Sequence, residues 1–361
     1  MSSQDAELTL EIIKRELEDD YSEFSKGPAR SVIRYGAPAL VPLVLLIEEC
    51  NKSVDVKTSR IGLAASEAWN AIARLNPETV GQALAEDDPD IRACTAGQIG
   101  EWQLFQYSER LSVLAIEDSD PLVVAQATLA IGRLYGPFAT RHADPYGSGR
   151  QEELVDLFAS IGFRTINRRL CELIAAPPRK ANTPPSQSPG HLPQDRSSRH
   201  ERTRSVAILA AGEVGTYTAI PLLVEIVDNF AWHVAEAVIS LGKLRAVAAI
   251  EPFTKHIYKP MTPLRAMIAE ALGSIGSVDG MESLFILAKD AKPLVRQYAC
   301  ASIGMVGGPS AKDVLIQLSK DPDEGVRRAA RKALSNCREH SLDTRQEGHD
   351  HPGDIQSIGE Y

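Results

Sequence analysis

The sequence predicts an all-α chain, a right-handed solenoid of stacked helix pairs interrupted by one disordered linker. Three observations carry that expectation. A nine-residue template ending in glycine recurs every 30 to 32 residues. Within each copy the apolar residues fall at helical spacing, which marks one buried face per helix. A run of proline, serine and charge then breaks the period between 177 and 203.

Four copies align without gaps: Arg204–Gly212, Val234–Gly242, Arg265–Gly273 and Arg296–Gly304. A fifth, Arg327–Ser335, closes the series with serine for glycine. Upstream, Arg92–Gly100 and Val124–Gly132 match the template, a weaker copy ends at Ala73, and another helix is expected before it. Counted from the glycine, the residues nine before, five before, one before and two after lie along one helix face. The outermost column reads Ile91, Val123, Thr203, His233, Leu264, Val295 and Val326. The next is mostly alanine, small enough for neighbouring helices to approach closely. The column after the glycine is apolar, from Trp102 to Cys337.

A second helix is expected after each glycine. Seven residues on stand Ala219, Ala249, Gly280 and Ala311, and eleven on Leu223, Phe253, Leu284 and Leu315. Fourteen on come Ile226, His256, Leu287 and Leu318. Pro221 and Pro252 suit a first turn, where a missing N–H does little harm. Asp88-Pro89, Asp120-Pro121 and Asp321-Pro322 punctuate the turns. Repeats of this kind stack into a solenoid.

The pattern D-P-x-V-R-x-x-A-A-x-A-L-G-x-L-G, nearly whole in Pro263–Gly276 and Pro293–Gly307, resembles HEAT repeats. The short period is similar to the phycobilisome-lyase (PBS lyase) HEAT-like variety. The resemblance covers about 60–135 weakly and 204–338 strongly, and implies an armadillo-type superhelix. It leaves function open, because the family includes chromophore lyase subunits, a metal-dependent hydroxylase and proteins that only bind others.

Composition divides the chain further. Residues 1–163 carry net charge −12, residues 164–203 net +5, residues 204–338 net +3 and the tail net −5. The expected organisation is acidic HEAT-like repeats at 1–135 and an insertion at 136–176, with amphipathic helices at Gln151–Ile161 and Arg164–Ala176 or a degenerate repeat. A disordered Pro/Ser-rich linker at 177–203, repeats at 204–338 and a disordered acidic tail at 339–361 follow. The basic linker is expected to dock on the acidic repeats through attraction that salt screens. Every long apolar stretch is interrupted short of a membrane span, so no membrane partner is expected. An acidic start without a signal pattern makes the cytoplasm the expected location. Five cysteines without a CxxC pair argue against a disulfide framework or structural zinc.

The chemistry expected is correspondingly bland, with no catalytic residue, no metal and no cofactor. Deoxyhypusine hydroxylase, similar in fold, holds iron with several His-Glu dipeptides. Here His200-Glu201 stands by itself beside the linker, and His142, His191, His233, His256 and His340 are isolated. His233 and His256 fall in apolar columns and read as core. His349-Asp350-His351 lies in a tail that cannot fix ligands. Cys94, Cys171 and Cys337 would need an activating base to act as nucleophiles, so a chromophore-handling lyase rests on the repeat resemblance alone. The arginine column eight before the glycine (Arg92, Arg204, Arg265, Arg296, Arg327) reads as structural bridging. Nucleic acid is disfavoured despite the cluster Arg327, Arg328, Arg331 and Lys332.

The expected function is a protein-binding scaffold or adaptor. Positions seven before, three before and one after the glycine lie opposite the buried stripe and should line the concave face. There the pairs Ala125/Leu129, Ser205/Leu209, Ala235/Ile239 and Ala266/Glu270 are bordered by Glu101, Arg133, Glu213 and Lys243. The partner-binding residues expected are Leu129, Arg133, Leu209, Glu213, Ile239 and Lys243. Large aliphatics in register on such a face point to a protein partner, whose identity the sequence leaves open.

Overall fold

The structure, a computed structural model, describes residues 11–17, 30–51, 56–135, 163–176 and 199–343. Every regular element among the described residues is a helix. The chain divides between Pro252 and Phe253 into two compact units.

Unit 1 contains α1 (residues 11–17), α2 (Arg30–Ile33), α3 (Leu40–Asn51), α4 (Val56–Ala73), α5 (Pro77–Ala83) and α6 (Pro89–Glu101). It continues with α7 (Ser108–Glu117), α8 (Pro121–Tyr135), α9 (Phe163–Ala175), α10 (Arg199–Val214), α11 (Ile220–Asp228) and α12 (Val234–Lys243). Helix α13 (Ile250–His256) carries the boundary. Unit 2 holds α14 (Thr262–Ile275), α15 (Met281–Leu287), α16 (Pro293–Val306), α17 (Pro309–Leu318) and α18 (Glu324–Asp343).

The template columns form the core. All seven residues of the outermost column are buried, from Ile91 to Val326. So are the second-helix residues Leu223, Phe253, Leu284 and Leu315, each with no exposed surface. Two residues after the glycine, Leu134, Val214, Leu244 and Ile275 are buried, but Trp102 and Val306 are only half-buried. The side chain of Cys337 lies outside the described residues.

The glycine marks where adjacent first helices touch. A Cβ on Gly212 would come within 2.8 Å of the Ser240 Cα, and one on Gly304 within 2.7 Å of the Ala333 Cβ. Helix α8 makes the same approach to α10, since a Cβ on Gly132 would meet the Glu213 Cβ at 2.5 Å. The stack of first helices is therefore unbroken from α8 to α10, although residues 136–198 intervene.

Helix α9 fills the second-helix place in that repeat. It buries Ile166, Leu170 and Ile174, its Arg169 Nη2 donates to the Asp118 carbonyl (2.8 Å), and Arg204 Nε donates to its Ile174 carbonyl (2.9 Å). The helix expected at Gln151–Ile161 lies outside the described residues, as do 177–198 and 344–361. Helix α10 begins at Arg199, inside the span expected as linker. Arg199 pairs with Asp120 at 2.8 Å, Glu201 and Thr203 are buried, and the Thr203 hydroxyl donates to the Arg199 carbonyl. Burial outweighs the polar composition that marked 199–203 as linker.

The arginine column fastens one turn to the next. The Arg265 fork donates to both Asp290 carboxylate oxygens at 2.6 and 3.0 Å, and its Nη1 to the Lys259 carbonyl. Arg296 repeats this on Asp321 at 2.9 and 2.7 Å, and Arg92 on Asp118 at 2.9 and 3.1 Å. Arg327 donates to the carbonyls of Asp321 and Pro322. Bidentate geometry of this kind fixes orientation as well as adding energy.

Candidate functional site: a polar-floored groove in unit 1

A groove of about 490 Å³ opens between the first helices α4, α6, α8 and α10, with α3 along it. Its lining contains Gly97, Glu101, Leu129, Arg133, Ser205 and Leu209, from the positions expected on the concave face. Three of the six expected partner-binding residues, Leu129, Arg133 and Leu209, are thus brought together. Leu129 is only 5% exposed and belongs to the floor, whereas Leu209 is half-buried and open to a ligand. Ile239 is half-buried on α12, outside the groove lining.

The charged border pairs laterally. Arg133 Nη1 donates to Glu101 Oε2 at 2.8 Å, and Lys243 pairs with Glu213. The alanines expected on the open face are buried instead, with Ala125 at 0%, Ala235 at 5% and Ala266 at 4% exposure. A methyl group is too short to clear the neighbouring helices, so only the longer residues of these columns reach solvent.

Sequence reasoning missed the polar floor. Arg202 on α10 donates through Nη2 to Glu48 Oε2 on α3 at 2.8 Å, both nearly out of solvent. Ser66 donates to Gln98 at 2.5 Å, and the Trp102 indole N–H donates to Ser66 at 3.0 Å. Arg202 fell inside the span read as linker, and Glu48 lies on a helix outside the template. The available signal was that Thr203, one residue on from Arg202, already occupies the outermost apolar column.

Beneath the α10–α12 contact, buried His233 is within 2.8 Å of Glu201 Oε2, as its ring Nε2, and Ser205 donates to Glu236 at 2.9 Å. Burial pushes Glu236 up, but His233, the backbone N–H and Ser205 outweigh it and hold the carboxyl below its usual range. His233 and His256 are both core residues, each 5% exposed. His142, His191 and the 349–351 triplet lie outside the described residues. Among the described residues no group of three or more His, Cys, Asp or Glu is placed to hold a metal ion.

Of the four thiols described, Cys50, Cys94 and Cys300 are buried. Burial pushes Cys300 up to about 12, and burial also raises Cys50. Cys94 is buried with its Sγ 3.4 Å from the Val44 carbonyl, and half-buried Cys171 lies 3.6 Å from the Thr218 hydroxyl. A thiol pushed that far above its usual range is no nucleophile at neutral pH. Among the described residues, no helix is long and apolar enough to cross a membrane.

Paired helices repeating at a fixed period, joined by close first-helix contacts, define a helical-repeat protein of the α-solenoid class. Residues 250–335 match the family model for HEAT repeats. Among solved structures it is similar to human deoxyhypusine hydroxylase in complex with glycerol, at 13% identity and TM-score 0.32, covering 93% of this chain and 98% of that one. It is also similar to an engineered protein, at 17% identity and TM-score 0.37, covering 93% and 97%. A chain from the structure of Kap95p with RanGDP is similar at 14% identity and TM-score 0.42, covering 93% of this chain and 46% of that one. No curated protein matches the chain.

Proposed function

We propose that the chain is a non-enzymatic scaffold or adaptor that holds a segment of a partner protein in the groove of unit 1. The observation that carries this reading is the groove itself, which joins Leu209 and the Arg133–Glu101 pair over a polar floor. Its volume is in the range of sites that enclose side chains of a ligand. An apolar anchor of the partner sits against Leu209, and its backbone polar groups face Gln98, Ser66 and the border charges. A cytoplasmic location belongs to the same proposal, as does the division into repeats at 1–135 and 204–338 flanking an insertion and linker.

The test uses partners captured by the tagged full-length chain and identified by mass spectrometry. Leu209→Asp should leave melting unchanged and weaken capture at least tenfold, equivalent to about 1.4 kcal/mol. Ile239→Asp, outside the groove lining, should weaken capture less. Leu241→Asp, with no exposed surface, should unfold the unit, because a buried carboxylate costs several kcal/mol. If Leu209→Asp melts as early as Leu241→Asp, the groove wall is core. If it stays folded and captures every partner as well as wild type, the groove is only a surface.

A further inference from the structure

Unit 2 carries a second face of different chemistry. On α16, Leu294, Tyr298 and Met305 are exposed at 46%, 37% and 52%, and Ala301 between them is exposed too. Their spacing places them on one side of the helix. The stripe runs three turns, about 16 Å at 1.5 Å per residue. The opposite side buries Val295, Ala299, Cys300 and Ile303 completely, so the stripe is not part of the core.

The neighbouring first helices extend it. One repeat earlier, α14 contributes exposed Pro263 and half-buried Met267. A Cβ on Gly273 of α14 would lie 2.7 Å from the Met305 Cε, so Met305 leans onto that helix and makes the surface continuous. One repeat later, α18 presents exposed Lys332 in the Ala301 column, with exposed Arg328 one turn before it. Arg328 reaches Glu324 at 3.2 Å in an exposed pair of little worth. Lys332 makes no ion pair among the described residues. Exposed Glu270 sits on the α14 side of this face.

We propose that this face binds an acidic amphipathic helix of another protein, with its apolar anchors along α16 and its carboxylates over α18. An apolar strip three turns long matches the anchor spacing of a helix laid in a groove. Methionine adapts its shape to such anchors, and the cations at one edge complement acidic side chains and fix the orientation. Glu270 at the other edge disfavours the reversed placement. Single-stranded nucleic acid would need several aromatic stacking platforms, and this face offers Tyr298. The inference concerns unit 2 and does not rest on the groove of unit 1.

The test is fluorescence anisotropy on the full-length chain with a labelled helix-forming peptide of about four turns, bearing Leu, Phe and Leu at i, i+4 and i+7 among Asp and Glu. A twin with Lys and Arg for the acids, and an oligo-dT of similar length, are the comparisons. The acidic peptide should bind saturably, at least tenfold tighter than either, and more weakly as salt rises. Arg328→Glu with Lys332→Glu, and separately Tyr298→Ala, should each weaken it at least tenfold with melting unchanged. Equal affinity for the basic twin, or undiminished binding by the folded charge-reversal variant, overturns the proposal. Preference for oligo-dT overturns it in favour of nucleic acid. If Ile355→Ser with Ile358→Ser tightens peptide binding tenfold, the chain's own C-terminal segment is the occupant and a separate partner is ruled out.

Discussion

Three residues after the repeat glycine, the backbone turns left-handed to end the first helix. The φ angles there are 52° at Gln103, 81° at Gly215, 50° at Arg245, 74° at Gly276 and 75° at Gly307. A residue with a Cβ loses roughly 1–2 kcal/mol in this region, whereas glycine adopts it freely. The second glycine of L-G-x-L-G was legible in the copies ending at 276 and 307. The same bend at Gln103 and Arg245 was not, because a polar residue there gives no local signal. Arg245 is exposed, so its side chain gives little in return. Arg245→Gly should therefore stabilise the chain by about 0.5 kcal/mol, the steric relief less the added chain entropy. The urea midpoint measures it, and a midpoint that falls would mean that the Arg245 side chain holds something the bend alone does not explain.

At the scale of the element, the first helices α6, α14 and α16 are each tied by arginine to the turn that begins the next. Asp321 shows how. The Arg296 guanidinium holds its carboxyl below the usual aspartate range, burial opposes this, and the Asp323 N–H assists at 2.9 Å. A carboxylate depressed in the folded state adds stability above its unfolded pKa, about 3.9. That stability is lost as pH falls through the lower folded value. Asp321→Asn should cost about 2 kcal/mol at neutral pH, the worth of hydrogen bonds to a charged group. Its loss of stability as pH falls below about 4 should be smaller than that of wild type. Parallel acid titrations of melting temperature measure both, and two curves offset by a constant would show that Asp321 does not carry the linkage.

The arginine column was legible as structural, and the Asp-Pro turns were legible as turns. That the two meet across successive repeats was not, since spacing within one helix says nothing of what the next turn presents. Helix α9 was legible by its amphipathic pattern. Its place in the stack was hidden, because residues 136–162 separate it from α8 and the glycine template is absent.

On the scale of a whole unit, a solenoid repeat normally contacts only its neighbours, and stability is then a sum of local terms. Unit 1 departs from this through Arg202 and Glu48, which join α10 to α3 across the groove that α4, α6 and α8 line. No periodicity reveals a contact 154 residues apart, which is why the groove's apolar wall was legible in the sequence and its polar floor was not. The pair couples far repeats of the unit directly, as Arg199 of α10 also does where it pairs with Asp90 on α6. Glu48→Gln leaves the guanidinium poorly matched in a site with little solvent and should destabilise unit 1 by about 3 kcal/mol. Because the lost contact links distant repeats, the transition should also broaden, giving a smaller denaturant slope as well as a lower midpoint. Replacing both partners, Glu48→Leu with Arg202→Leu, should recover most of the midpoint, since no charge is left buried. The slope separates the two roles. If Glu48→Gln lowers the midpoint with the slope unchanged, the pair is an ordinary local contact; if the double variant unfolds as sharply as wild type, apolar contact across the groove suffices for the coupling.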